Sequence, residues 1–271
     1  MREQGSKPRF AVLISGSGTN LQALLDRASA GTLAAEVAVV TSDRPDAFGL
    51  VRAANAGIPT HVVDYRAYRS IGMNDPLVES LPVDLEALDR DQKILRNPDP
   101  EKRLLQLARL VLAEREILNV LDRYRPDFVC LAGFMRLLTP YFLNHYNREN
   151  DWRVMNVHPS LLPAFPGQHG YEDTFAYGGS WGGITVHFAD EGEDSGPVIA
   201  QAAYPIWPDD DIEKVRQRGL MLEYKVYAQC INWFVAGQVE TNLVEGGRAR
   251  AVITDPLYRD ILRRWVDLAF K

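Results

Sequence analysis

The apolar run Phe10-Ala11-Val12-Leu13-Ile14 leads straight into Ser15-Gly16-Ser17-Gly18-Thr19-Asn20, after which Leu21, Leu24, Leu25 and Ala28 recur at helical spacing. A short, wholly apolar run is a strand buried on both faces, and here it turns through glycine into a helix. The same alternation continues. Residues 37–41 form a second strand, 47–56 a helix stopped by Gly57, and 60–63 a third strand that carries His61 as a structural residue. Strand, helix, strand, helix, strand predicts an α/β fold with a doubly wound, mostly parallel sheet. The glycine turn is also a candidate anion site, because glycines admit a ligand to the backbone and free helix N–H groups point at it. Thr19 or Asn20 can cap the helix. The third glycine of a dinucleotide fingerprint and the Gly-Lys pair of a P-loop are both absent, so a plain tight turn stays open as a reading.

From Tyr68 to Pro100 the pattern breaks into a polar stretch with Pro76, Pro82, Pro98 and Pro100, in which only residues 85–95 suggest a helix. Such a segment is a functional lid or a surface insertion, here placed near 69–98. A long helix follows over 101–124, then a strand over 126–133, and Thr139-Pro140 opens a further helix with proline in its first turn. Later elements are a short helix at 171–177, strands at 183–188 and 198–205, and a helix from 211 to about 236. After Gly246-Gly247 come a short strand around 251–253 and a final helix. His187 alternates with Val186 and is expected to face outward.

Between these lies the stretch with the most chemistry, Arg153-Val154-Met155-Asn156-Val157-His158-Pro159, followed by Pro163 and Pro166. Asn156 and His158 are two apart at the end of a strand, so they share a face. The prolines force the chain to leave as a stiff loop. A second cluster, His187 to Pro197, runs from an apolar strand into Asp190, Glu191, Glu193 and Asp194. Together the two supply Asn, His and Asp, enough for acid–base and oxyanion work. A lone histidine after a strand is more often a surface or satisfied core residue.

Composition narrows the rest. A net charge of −6 over 271 residues argues against a nucleic-acid surface. Cys130 and Cys230 sit in apolar runs and read as small buried hydrophobes of a reducing compartment, with no metal site. No apolar stretch approaches the ~20 residues that span a bilayer, and residues 1–9 lack an apolar signal region, so a cytoplasmic protein without a membrane partner is expected.

Five motifs in this order resemble the folate-dependent glycinamide ribonucleotide formyltransferase family: residues 12–22, 42–49, 131–136, Asn156 to Pro163 and Asp194 to Pro197. The resemblance covers most of residues 10–240. It implies one formyltransferase domain, with a Rossmann-like nucleotide-binding half over about 8–150, a folate and catalytic half over about 151–240, and a C-terminal extension over 241–271. Its implied co-substrate is 10-formyltetrahydrofolate, its partner substrate glycinamide ribonucleotide, and a homodimer is compatible with it. Carried over by position, Asn156, His158 and Asp194 form a catalytic trio in which Asp194 raises the His158 pKa. Gly18, Thr19 and Asn20 hold the phosphate, and Glu223 contacts the substrate amine. Arg115 and the segment Met135, Arg136, Leu137 and Leu138 bind the folate. The chain departs from the family at Gly170-Tyr171-Glu172, beside the site. The alternatives are formyltetrahydrofolate deformylase, which normally carries an extra domain before the glycine loop, and formyl transfer to a related amino-sugar nucleotide. A non-catalytic nucleotide-binding module would need no trio.

Overall fold

The computed structural model describes residues 6–148, 151–243 and 249–270; the Gly246-Gly247 pair and the first residues of the chain lie outside them. Seven strands form the central sheet: β1 (Arg9–Ile14), β2 (Glu36–Ser42), β3 (Thr60–Val62), β4 (Phe128–Leu131), β5 (Val154–His158), β6 (Trp181–Phe188) and β7 (Val198–Pro205). Their spatial order is β3-β2-β1-β4-β5-β6-β7. The strands from β1 to β5 pair in parallel, whereas β6 is antiparallel to both of its neighbours. The expected doubly wound, mostly parallel sheet is therefore present.

Alternation along β1 sorts the core into two layers. Phe10, Val12 and Ile14 pack towards α1 (Thr19–Ser29), α2 (Phe48–Asn55) and the later helices α8 (Ile212–Val235) and α9 (Tyr258–Ala269). Ala11 and Leu13 pack on the other face against α5 (Pro100–Tyr124) and α6 (Pro140–Tyr146). Pro100 and Pro140 both occupy the first turn of their helices, with Asp99 and Thr139 capping from the preceding position. Cys130 and Cys230 are buried and free. His61 shares a 2.8 Å hydrogen bond with the Tyr124 hydroxyl, a structural contact as expected.

The segment at 69–98 is more ordered than its sequence suggests. It holds the single turn α3 (Pro76–Glu79) and α4 (Leu85–Asp91), both capped by aspartates. Ile71, Val78 and Leu88 bury themselves against Ala108, Leu112, Leu107 and Val111 of α5. Its far end meets the loop after β6, where the Lys93 N–H donates to the Glu191 carbonyl at 3.0 Å. The helix α7 (Gly170–Tyr177) lies between β5 and β6 in sequence. At the C-terminal end, β8 (Val239–Leu243) pairs with β9 (Ala249–Ile253) as a hairpin. The sequence reading has no counterpart to β8, because Glu240-Thr241-Asn242 is polar throughout and shows no apolar alternation.

Candidate active site

The sheet order reverses between β1 and β4: the chain runs outward to β3 on one side and returns to β4 on the other. At such a switch point the loops at the strand carboxyl ends diverge and leave a crevice. Here the crevice is a cavity of about 450 Å³ lined by Ser17, Thr19, Asn20, residues 133–138, Asn156, His158, Asp194 and Glu223, among others.

One wall is the glycine turn. Gly18 is the N-cap of α1 at φ 68°, and no side chain caps the helix, so neither Thr19 nor Asn20 performs the capping expected of it. The reason lies in the fold. A Cβ on Gly18 would sit 2.6 Å from the Gly49 Cα, so Gly18 is spent on close packing of α1 against α2 as well as on its left-handed backbone. Gly18 is absent from the cavity lining, whereas Thr19 and Asn20 belong to it. Asn20 turns its amide across the cavity and donates to Glu223 Oε2 at 2.5 Å.

The second wall is the segment after β4. Met135 and Leu137 are 43% and 39% exposed at the cavity, while Leu138 is buried. Apolar side chains left uncovered in a crevice suit a flat, partly apolar ligand. The Met135 N–H donates to Ser15 Oγ at 2.8 Å and ties this segment to the glycine turn. Arg136 is held by Asp43 at 2.7 Å and lies over the Tyr65 ring. Arg115 does not join this group: it is absent from the lining, and its guanidinium reaches Ser80 Oγ at 3.2 Å.

The third wall carries the acid–base groups. Asn156 and His158 lie on the same face of β5, as their spacing requires. Asp194 reaches them from the loop after β6. Its Oδ2 is 3.3 Å from His158 Nδ1 and accepts the Gly167 N–H at 2.8 Å, while its Oδ1 is 3.4 Å from Asn156 Nδ2. Asp194 adopts φ 50°, a left-handed backbone uncommon for a non-glycine residue. The turn is tight: a Cβ on Gly196 would fall 2.0 Å from the Phe188 carbonyl.

His187 overturns the outward placement expected for it. It is 2% exposed, stands opposite Asn156 in the antiparallel register of β5 with β6, and approaches Asp194 Oδ1 at 3.5 Å. Directly opposed residues share a face. Val186 faces the α8 layer, but the other side of this sheet is the site and not solvent. The Phe188 carbonyl, 2.9 Å away, can only accept, so His187 Nδ1 carries a proton, and Nε2 stands between Asn156 Nδ2 at 3.3 Å and Asp194 Oδ1 at 3.5 Å. A histidine at the register position of a candidate carboxamide was the available signal, and it is readable only once the pairing of the strands is known.

Asp194 acts on the His158 pKa in the expected upward direction, but the net shift is downward. Burial pushes the His158 pKa below the ordinary imidazole range, and the attraction of Asp194, which acts upwards, does not offset it. Burial likewise acts to raise Asp194, but His187, His158 and the Gly167 N–H outweigh it and hold this carboxyl below its usual range. Because the Phe165 carbonyl, 2.8 Å from His158 Nε2, can only accept, Nε2 carries a proton and Nδ1 is the position left to titrate, facing Asp194. Glu223, 4% exposed, is shifted upward by burial against the hydrogen bonds of Asn20 and Tyr171. At the rim, Glu172 pairs with Arg216.

Comparison with known proteins finds relatives over most of the chain. The formyl transferase family model matches residues 8–231. A phosphoribosylglycinamide formyltransferase of Escherichia coli (strain K12) is 35% identical over 231 residues, 85% of this chain and 89% of that protein. The glycinamide ribonucleotide transformylase 1 structure from Symbiobacterium toebii is 36% identical, with a TM-score of 0.71 over 93% of this chain and 96% of that one. A formyltetrahydrofolate deformylase structure from Pseudomonas syringae pv. tomato is 24% identical, with a TM-score of 0.65, over 93% of this chain and 67% of that one, and at that identity shows a shared fold alone.

Proposed function

The chain belongs to the phosphoribosylglycinamide formyltransferases, and from that premise we propose that it transfers the formyl group of 10-formyltetrahydrofolate to the amine of glycinamide ribonucleotide, with Asn156, His158 and Asp194 as the catalytic trio. The observation that carries the assignment of roles is the meeting of these three side chains in a cavity that Asn20 and Glu223 also line.

The ribonucleotide phosphate sits at Thr19 and Asn20, where the uncapped first turn of α1 offers backbone N–H groups to an anion. The formylfolate ring stacks on the exposed Met135 and Leu137 wall and reaches the trio from that side. The neutral amine attacks the formyl carbon, a C–N bond forms, and the carbonyl electron pair moves to oxygen. Asn156 Nδ2 donates to that oxyanion. The new negative charge makes His158 Nδ1 more basic, and a proton taken up there is held by Asp194 Oδ2 at 3.3 Å. Collapse of the intermediate breaks the bond to the folate nitrogen. The proton lost by the attacking amine passes, by way of Asp194 or water, to that nitrogen.

Incubating the protein with 10-formyltetrahydrofolate, with and without glycinamide ribonucleotide, tests the proposal. Formyl loss that depends on the ribonucleotide and yields its formamide is expected. Equal loss in its absence would make the protein a hydrolase, and transfer to an amino-sugar nucleotide in its place would change the acceptor.

A further inference from the structure

The glycine turn between β1 and α1 is gripped from behind by α2, and the reaction as described gives that grip no task. Two successive carbonyls of the turn face α2. The Gly16 carbonyl accepts from the Gly49 N–H, one of the orphan donors in the first turn of α2, at 3.0 Å. The Ser17 carbonyl accepts from Arg52 Nε at 2.9 Å. In a trans peptide the carbonyl of one residue and the N–H of the next point in opposite directions. Fixing these two oxygens towards α2 therefore turns the Ser17 and Gly18 N–H groups away from it. Among the described residues, neither these N–H groups nor those of Thr19 and Asn20 meet an acceptor. Four consecutive donors are thus left free beside the cavity that Ser17, Thr19 and Asn20 line.

Arg52 is the part of the grip that a side chain supplies, and it is fixed on three sides. Besides the Ser17 carbonyl, its Nη1 donates to Gln22 Oε1 at 3.1 Å, in the first turn of α1. Its guanidinium lies over the Phe48 ring, 4.9 Å from the centroid. All three partners are uncharged, so the positive charge is not cancelled. The two guanidinium groups that line the cavity are each spent on carboxylates, Arg136 on Asp43 and Arg216 on Glu172 and Glu213. A dianion at the turn would meet the charge of Arg52 through a single peptide unit. Guanidinium, Ser17 carbonyl, Gly18 N–H and anion then form one chain in which each hydrogen bond polarises the next.

We propose that Arg52 is a positioning residue for the phosphate of the acceptor: it holds the Ser17–Gly18 peptide with its N–H towards the anion and polarises that peptide from behind. This rests on the placement of the phosphate at the start of α1. Removing the guanidinium has two consequences of known sign. The Ser17–Gly18 peptide gains freedom to rotate, which misdirects a donor. The turn also loses an uncancelled positive charge, which weakens its attraction for a dianion.

The test compares glycinamide ribonucleotide with its phosphate-free riboside in wild type, Arg52→Met and Arg52→Lys. Methionine keeps an unbranched stem beside Phe48 but brings neither donor nor charge, and lysine restores the charge without the fork. In Arg52→Met the preference for the ribonucleotide, read as the ratio of kcat/KM for the two acceptors, should fall about tenfold. The fall should come through the KM for the ribonucleotide, with the KM for 10-formyltetrahydrofolate within about twofold of wild type. The Ki of ribose 5-phosphate, a probe without the amine, should rise by the same factor, and Arg52→Lys should recover part of both. A wild-type ratio and Ki in Arg52→Met would refute the role of Arg52 and leave the phosphate placement standing. If wild type itself uses both acceptors equally well and is not inhibited by ribose 5-phosphate, the phosphate placement fails and the inference falls with it. Equal losses for the two acceptors, with a lowered Tm, would mean that Arg52 only holds α2 against α1. If Arg52→Met yields no folded protein, Arg52→Lys decides by the same ratio, which should lie below that of wild type.

Discussion

Asp194 and Glu223 are two carboxylates of one cavity, both largely withdrawn from water, and the fold shifts them in opposite directions. Asp194 stands against two imidazoles and a backbone N–H, which together outweigh its burial and keep its proton off. Glu223 meets only a carboxamide and a phenol, and burial prevails. Depth alone therefore does not assign a carboxyl its state; the charge of what it faces does. Asp194 thus marks a charged end of the cavity, where the proposed reaction develops its charge, whereas Glu223 is met by uncharged donors alone. The same distinction extends to a third carboxyl. Glu114 is fully buried in α5, accepts from the Thr139 N–H at 2.8 Å and from the Thr139 hydroxyl at 2.5 Å, and is pushed up to about 8 by burial. It has no cation either, and it lies beneath the segment that lines the cavity.

The largest effects should come from the charged end. Asn156→Ala removes one donor to the oxyanion and should lower kcat by about 10²–10³. His158→Ala should lower it further, and the double variant should fall short of the product of the two, since both act on one developing charge. Steady-state kcat at saturating substrates measures this. Fully multiplicative losses would separate the two residues and dissolve the idea of a single charged end.

Asp194→Asn comes next. The variant keeps the shape but removes the anion that works against the burial of His158, so the His158 pKa should fall still lower. The protonated fraction then declines at lower pH than in wild type, so the loss of kcat should widen as pH rises towards the His158 pKa, below the ordinary imidazole value of about 6.5, and level off above it, while 10-formyltetrahydrofolate still binds. Wild-type kcat across that range would leave Asp194 a merely geometric role.

Glu114→Gln sharpens the comparison through stability. A carboxyl whose folded pKa lies above its unfolded value binds its proton more tightly in the native state. Its contribution is fully present below the unfolded value and is lost as pH rises towards about 8. Wild-type Tm should therefore decline between about pH 5 and 8 more steeply than that of Glu114→Gln, read by thermal unfolding at matched ionic strength. Parallel curves would show that Glu114 is not held protonated.

The smallest effect is expected at the outer edge of the charged end. Lys93→Pro deletes the N–H that ties the 69–98 segment to the Glu191 carbonyl, next to the turn that carries Asp194. We expect the KM for 10-formyltetrahydrofolate to rise a few-fold, roughly what one hydrogen bond is worth, with kcat little changed. Lys93→Ala, which retains the N–H, should behave as wild type. A change in Lys93→Ala equal to that in Lys93→Pro would assign the contact to the side chain, whose Nζ lies 3.8 Å from Glu191 Oε2.

Local pattern was enough for much of this molecule. Apolar runs and helical spacing placed β1, β2, β4, β7, α5 and α8 to within a few residues, because each buries a face whose period is written in adjacent side chains. Spacing of two put Asn156 and His158 on one face of β5, and proline ended the strand. What the local pattern does not contain is pairing. His187 becomes a site residue only because β6 lies antiparallel to β5 and brings it opposite Asn156. Tyr171 meets Glu223 across 52 positions of chain, and Asn20 meets it across 203. The sign of the His158 shift was equally out of reach, since it depends on how much protein surrounds the imidazole and not on the aspartate named beside it. Sequence determines which groups are present and which way each element turns them. Burial, register and the charge each group faces are sums over distant parts of the chain, and only the folded structure performs them.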